Sequence, residues 1–152
     1  MKLKLIHGGG EIKRIDNQIR EAYKLIDGNN LDIVRLDRKM INRIKDLGFD
    51  YTSSSGATFI GDRQVIKCGL LTRTPPPLKY RVPTLFYNYE RLPLTKENWD
   101  WVVVLMIQPK VDTTIYTKHV RIISDIERRL TGNDYHFDNF GIYKKQVKLI
   151  DW

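Results

Sequence analysis

A chain of 152 residues, 41% hydrophobic and 29% charged, has the size of one ordinary domain and the composition of a globular rather than a disordered protein. Its longest apolar run, Trp101 to Ile107, is far short of the roughly 20 residues a membrane-spanning helix needs. The net charge of +8 favours polyanions such as nucleic acid, nucleotide phosphates or an acidic protein face.

The basic residues are nevertheless scattered among acids, in pairs such as Arg128-Arg129 and Lys144-Lys145, and read as solvated surface charge. The N-terminus, Met1-Lys-Leu-Lys-Leu-Ile, lacks the apolar region and cleavage site of a signal peptide. Cys68 is the only cysteine, which excludes an internal disulfide and a cysteine-based zinc site. A cytoplasmic setting without a membrane partner is therefore expected.

In chain order, Glu11 to Asp27 carries Ile12, Ile15, Ile19, Tyr23 and Ile26 at helical spacing, and Gly28 is a stop signal. Leu31, Ile33 and Leu36 fit a short strand or a helix equally. Asp37 is placed to cap a helix holding Met40, Ile41, Ile44 and Leu47, ended by Gly48. From Phe49 the pattern becomes strand-like. Phe59-Ile60 and Gln64 to Lys67, joined by Gly61-Asp62, predict a hairpin. Thr74-Pro75-Pro76-Pro77 predicts a stiff extended connector. Arg81 to Tyr87 predicts a strand, with Pro83 arguing for an edge. Trp101 to Ile107, apolar on both faces, predicts a central strand. Beyond Pro109, Thr113 or Thr114 is placed to start a helix running to about Leu130, with Ile115, Ile122, Ile123, Ile126 and Leu130 on its buried side. A loop then leads to Asn139, and Phe140 to Tyr143 and Val147 to Ile150 predict a second hairpin around Lys144-Lys145-Gln146.

The segment Asn133-Asp134-Tyr135-His136-Phe137-Asp138-Asn139-Phe140-Gly141-Ile142, followed by Lys148-Leu149-Ile150-Asp151-Trp152, carries the chemistry. Asp134 precedes Asn139 by five positions on a loop leaving a helix, and Asn139 enters a hairpin that ends in Asp151. Phosphoryl transfer consists mostly of positioning and charge neutralisation. One carboxylate orients the attacking hydroxyl, and an Asn oxygen and a second carboxylate suffice to hold magnesium, which keeps several waters.

These residues resemble the catalytic loop and metal-binding strand of protein-kinase-like phosphotransferases. Asp134 and Asn139 match the loop spacing Asp, four residues, Asn. His136 matches the Asp-x-His-x-x-Asn form common in aminoglycoside phosphotransferases and choline kinases, and Ile150-Asp151-Trp152 matches the Ile-Asp-Trp with which their following hairpin commonly ends. Ser53 to Ile60 resembles a reduced phosphate-covering loop with one glycine, Gly56. Val65-Ile66-Lys67 resembles the Val-Ala-Ile-Lys strand, and Gln108 to Val111 the hinge that receives adenine. The resemblance spans about Tyr51 to Asp151. It implies an α+β, minimal protein-kinase-like fold: a small antiparallel sheet with N-terminal helices, one long helix before the catalytic loop, and a C-terminal β-hairpin. Residues 1–152 would form a single domain, with a helical region 1–48, an N-lobe-like part 49–108 and a truncated C-lobe-like part 109–152. The resemblance further implies ATP and Mg2+ as cofactors, Asp134 and His136 as catalytic residues, Lys67, Ser55, Gly56 and Gln108 as nucleotide-binding residues, and Asn139 and Asp151 as metal ligands. The acceptor would be a hydroxyl on a protein or small molecule.

The chain also departs from that pattern. The interval Gly69 to Tyr80, where the family has a helix with a glutamate, is proline-rich and has no acid, so an acidic partner for Lys67 either comes from elsewhere, with Glu11, Glu21 and Asp37 as the candidates, or does not exist. The sequence runs one residue past Asp151, so no activation segment or large helical lobe is expected from it. The N-terminal helices have no family counterpart. A second reading follows: a catalytically degenerate kinase-fold module for self-association or protein binding, of the kind a phage or virus uses as an accessory or virion component, located in the host cytoplasm or the virion. Nucleic-acid binding through the basic surface is a third reading, without a helix-turn-helix, zinc-ligand or aromatic RNA-binding motif behind it.

Overall fold

The computed structural model describes residues 3–7, 11–27, 36–53, 56–71, 75–89, 102–130 and 137–152. It is α+β, with two compact units, one formed by residues 1–74 and 83–110 and the other by residues 75–82 and 111–152.

The first unit is built on a six-stranded antiparallel sheet. Its strands are β1 (Leu3–His7), β2 (Asp50–Ser53), β3 (Gly56–Ile60), β4 (Gln64–Leu71), β5 (Leu85–Tyr89) and β6 (Val102–Pro109), in the spatial order β1-β5-β6-β4-β3-β2. The expected hairpin is present: the Gly61 N–H donates to the Gln64 carbonyl at 2.9 Å, and Phe59 faces Ile66 across it. β6 lies between β4 and β5, as its apolar sequence requires of a central strand.

Two helices, α1 (Asn17–Asp27) and α2 (Arg38–Lys45), supply apolar stripes to the same core. Ile19, Ala22 and Ile26 of α1 and Met40 and Ile44 of α2 pack with Phe49, Phe59, Ile66, Cys68, Leu85, Leu105 and Ile107. Asp37 caps α2, its carboxylate accepting from the Met40 N–H at 2.8 Å, and Gly48 ends the turn beyond it at φ +96°. Helix α1 begins at Asn17 rather than Glu11 because the backbone before it has other partners. The Gln64 side chain accepts from the Asp16 N–H at 2.9 Å and donates to the Arg14 carbonyl at 2.8 Å. Ile12 and Ile15 still pack on the core from this non-helical run. Residues 31–35 of the ambiguous second segment lie outside the described residues.

In the second unit, α3 (Val120–Arg129) packs on a hairpin of β7 (Phe140–Tyr143) and β8 (Gln146–Leu149). The core is Ile123, Ile126, Phe140, Val147 and Leu149. Lys144 and Lys145 form the hairpin turn at φ 47° and 66°, as the sequence placed it. The helix starts later than expected. Asp112 accepts from the Thr114 N–H at 2.9 Å, and its carbonyl accepts from the Ile142 N–H at 2.7 Å, which holds the preceding chain against the hairpin. A 3-10 turn, Thr117–His119, then leads into α3. Ile122, expected on the buried side, is 47% exposed, because Ile123 and Ile126 define the buried stripe and Ile122 falls at its margin.

The expected strand Arg81 to Tyr87 is divided. Arg81 bridges Leu149 in parallel, and the Val82 N–H donates to the Leu149 carbonyl at 3.0 Å, so these residues belong with β8. Pro83, which has no N–H to donate, separates them from β5, which starts at Leu85 and is flanked by β1 and β6 rather than lying at an edge. Among the described residues, no helix is long and apolar enough to cross a membrane.

Candidate functional site

In the first unit the candidate nucleotide-binding residues converge on β4. Lys67 lies in the middle of this strand, opposite Thr58 on β3 and Met106 on β6, and is half-buried. The strand that carries it is thus flanked by the Gly56 strand on one side and the Gln108 strand on the other. Gly56 faces Gly69 at the far end of the same ladder. It adopts φ +148°, and a Cβ there would stand 2.3 Å from the Cys68 carbonyl oxygen, so close backbone approach alone demands glycine at this position. Ser55 lies outside the described residues.

Gln108 differs from its expected place in a hinge. It is within β6, opposite Val65, and only 2% exposed, and its side-chain amide donates to the Thr84 hydroxyl at 3.3 Å. The strand continues through Pro109 because Gln64 and Val65 remain available to pair with it. The Thr84 N–H in turn donates to the Glu11 carboxylate at 3.0 Å. Of the other two acids considered for Lys67, Glu21 pairs with Lys24 at 3.2 Å and Asp37 caps α2. Cys68, beside Lys67, is 2% exposed, and burial pushes its thiol up to about 12, which fits a small core residue and not a nucleophile.

In the second unit the candidate metal ligands come together through the backbone. A 3-10 turn, Phe137–Asn139, delivers Asn139 to the start of β7. There the Asn139 carbonyl accepts from the Ile150 N–H at 2.7 Å and from the Asp151 N–H at 3.3 Å. Because Phe140 pairs with Leu149, the residues just outside that pair, Asn139 and Ile150-Asp151, meet at the open end of the hairpin. Asn139 is half-buried and Asp151 exposed. Two hard oxygen donors on a braced backbone suit magnesium, which takes one or two protein ligands and completes its shell with water and phosphate oxygens. Among the described residues there is no group of three or more His, Cys, Asp or Glu that could hold a metal by itself. Asp134 and His136 lie outside the described residues.

Sequence reasoning missed Arg81. It is 3% exposed, its Nε donates to the Pro76 carbonyl at 2.8 Å, one terminal nitrogen donates to the Val82 carbonyl at 3.2 Å, and the guanidinium lies 5.9 Å from the Trp152 ring centroid. It thereby ties the proline-rich connector to the residue after Asp151. A lone Arg in an apolar stretch ahead of Val82 was the only available signal. Comparison of the chain with protein-family models, curated proteins and solved structures gives no match.

Proposed function

We propose that this protein is a minimal kinase-like phosphotransferase that uses ATP and magnesium to phosphorylate a hydroxyl acceptor. The observation that carries the reading is the double acceptance by the Asn139 carbonyl of the Ile150 and Asp151 N–H groups. It brings the Asn of the Asp-x-His-x-x-Asn pattern beside the Asp of Ile-Asp-Trp, and that adjacency is what metal binding by the two side chains needs. The order of elements along the chain also supports it: the Gly56 hairpin, the Lys67 strand, a central strand, a helix, and a hairpin ending in Asp151.

In this reading the Asn139 amide oxygen and the Asp151 carboxylate hold the metal, and Lys67 neutralises phosphate charge. Asp134 orients the acceptor hydroxyl and takes its proton, with His136 positioning that loop. Magnesium would supply charge neutralisation on the phosphates. The second reading, a degenerate kinase-fold binding module, draws on the interval Gly69 to Tyr80, which carries no acid where the resemblance implies a glutamate-bearing helix.

The test is thermal unfolding with ATP, with and without magnesium. At a ligand concentration 100 times its Kd, binding stabilises the folded state by about 2.7 kcal/mol. The wild type is expected to show a magnesium-dependent rise in Tm, and Asp151→Ala to show none while melting near the wild-type temperature without ligand. A wild type indifferent to ATP and magnesium would reject the phosphotransferase and leave the binding module.

A further inference from the structure

One group of charges in the second unit has no part in the proposed chemistry. Lys79, Arg129 and Lys148 come from three separate segments, the connector, the last turn of α3 and strand β8; Lys79 and Arg129 act on the Tyr80 phenol, and Lys148 reaches the backbone of Lys79 beside it. The backbone builds the arrangement. The Tyr80 N–H closes a turn onto the Pro77 carbonyl at 2.9 Å, and the Tyr80 carbonyl accepts from the Leu149 N–H at 2.7 Å. The Lys148 ammonium donates to the Lys79 carbonyl at 2.5 Å. The Lys79 ammonium stands 4.8 Å from the Tyr80 ring centroid.

The electrostatics agree with the geometry. The hydrogen bond from Lys79 is the main influence holding the Tyr80 phenol below its ordinary pKa; desolvation opposes it, and Arg129 adds a smaller effect in the same sense as Lys79. Neighbouring Arg128 is paired with Asp125 one helical turn away. Among the described residues, by contrast, no carboxylate pairs with Lys79, Arg129 or Lys148. Part of the cost of Arg129 is offset by its place at a helix C-terminus, but Lys79 and Lys148 have no such compensation. Lys79 and Arg129 on the phenol, with Lys148 on the adjacent Lys79 carbonyl, place three like charges around one tyrosine and make a set of donors for a multiply charged oxyanion.

We propose that Lys79, Arg129 and Lys148, with the Tyr80 hydroxyl, form a binding site for a phosphate group, either free or on a nucleic-acid backbone. A phosphate matches the site better than a carboxylate because it brings up to two charges and enough acceptor oxygens for all three cations. A second aromatic face topped by a lysine occurs in this unit, with the Lys144 ammonium 5.4 Å from the Tyr143 ring, a pairing of the kind that single-stranded nucleic acid stacks on.

The experiment uses the full chain without divalent metal, so that it is independent of the Asn139 and Asp151 reading. Inorganic phosphate is titrated by NMR and a fluorescent 12-nucleotide oligo-dT by anisotropy, against wild type, Lys79→Gln, Arg129→Gln and Asp151→Asn. Circular dichroism confirms that each variant is folded. Amide shifts centred on Tyr80 and Leu149, at least tenfold weaker binding in Lys79→Gln and Arg129→Gln, and unchanged binding in Asp151→Asn are expected. Bound phosphate neutralises the cations, so the phenol pKa of Tyr80 is expected to rise. If the source is nucleic acid, oligo-dT binds more tightly than phosphate, and Arg129→Gln lowers the slope of log affinity against log salt by about 1. If the source is free phosphate, the oligonucleotide gains nothing over phosphate. Absence of binding by both probes, binding indifferent to the two substitutions, or equal binding of an oligoglutamate peptide would overturn the proposal.

Discussion

Gly56→Ala is expected to cost about 3 kcal/mol of stability, before any ligand is added. Two effects add. A non-glycine residue at φ +148° occupies a region of backbone space that costs about 1–3 kcal/mol. The new methyl would also stand 2.3 Å from the Cys68 carbonyl oxygen and 3.2 Å from the Gly69 Cα, and both belong to the paired strand β4 rather than to a side chain that can swing away. Relieving that overlap means separating β3 from β4, a further 1–3 kcal/mol on the scale of overpacked cores, roughly. Urea unfolding followed by far-UV circular dichroism measures the loss. A variant as stable as wild type would mean that Gly56 and Gly69 are not paired as described. The result also governs how ATP binding is read: a Gly56→Ala protein that fails to bind nucleotide would have lost its ladder, and the loss could not be assigned to a phosphate contact.

Phe59→Ala is expected to destabilise the first unit by about 3–5 kcal/mol, the range of buried Phe truncations. Phe59 is fully buried on β3. Its ring meets Phe49 edge-on, with centroids 6.3 Å apart and planes at 82°, and lies 5.2 Å from the Tyr51 ring. Such pairs contribute about 0.5–1.5 kcal/mol beyond area burial. Its backbone faces Ile66, the residue before Lys67, so the cavity would open directly beneath the strand that carries the lysine. Phe59→Leu should recover more than half of the loss, because it restores most of the volume. Denaturant unfolding of the two variants checks both magnitudes, and near-equal stability of Phe59→Ala and wild type would contradict the assigned core.

Much of the fold was legible where the determining interactions are local. The Gly61 and Lys144-Lys145 turns and the Asp37 cap each depend on neighbours a few residues apart, and the central strand was legible from its continuous apolar run. The helix starts were not legible, because they are set from a distance. Gln64 binds the backbone of Arg14 and Asp16 from 50 and 48 residues away, and the bond from Ile142 to Asp112 spans a helix and a loop. The pairing of Arg81 and Val82 with Leu149 is equally remote in sequence, so a single strand through Pro83 looked sufficient.

The candidate site follows the same division. Asn139 and Asp151 flank one hairpin, so their adjacency could be read from the motif and the turn between them. Gln108 looked like a connector residue because Pro109 suggested the end of a strand, whereas its partners are Val65 in the ladder and Thr84 across the sheet. The Tyr80 cluster was invisible in the sequence because its three cations are separated by a helix and a hairpin, and only folding gathers them.

The claim at the centre of this account is that Asn139 and Asp151 hold the metal that accompanies ATP. Paramagnetic broadening by Mn2+, added at trace levels to isotope-labelled protein with ATP, reports the metal's position directly. The amides of Asn139, Phe140, Ile150 and Asp151 should broaden first, and Asp151→Asn should abolish the effect. Broadening centred elsewhere, or none at this hairpin at saturating ATP, would contradict it.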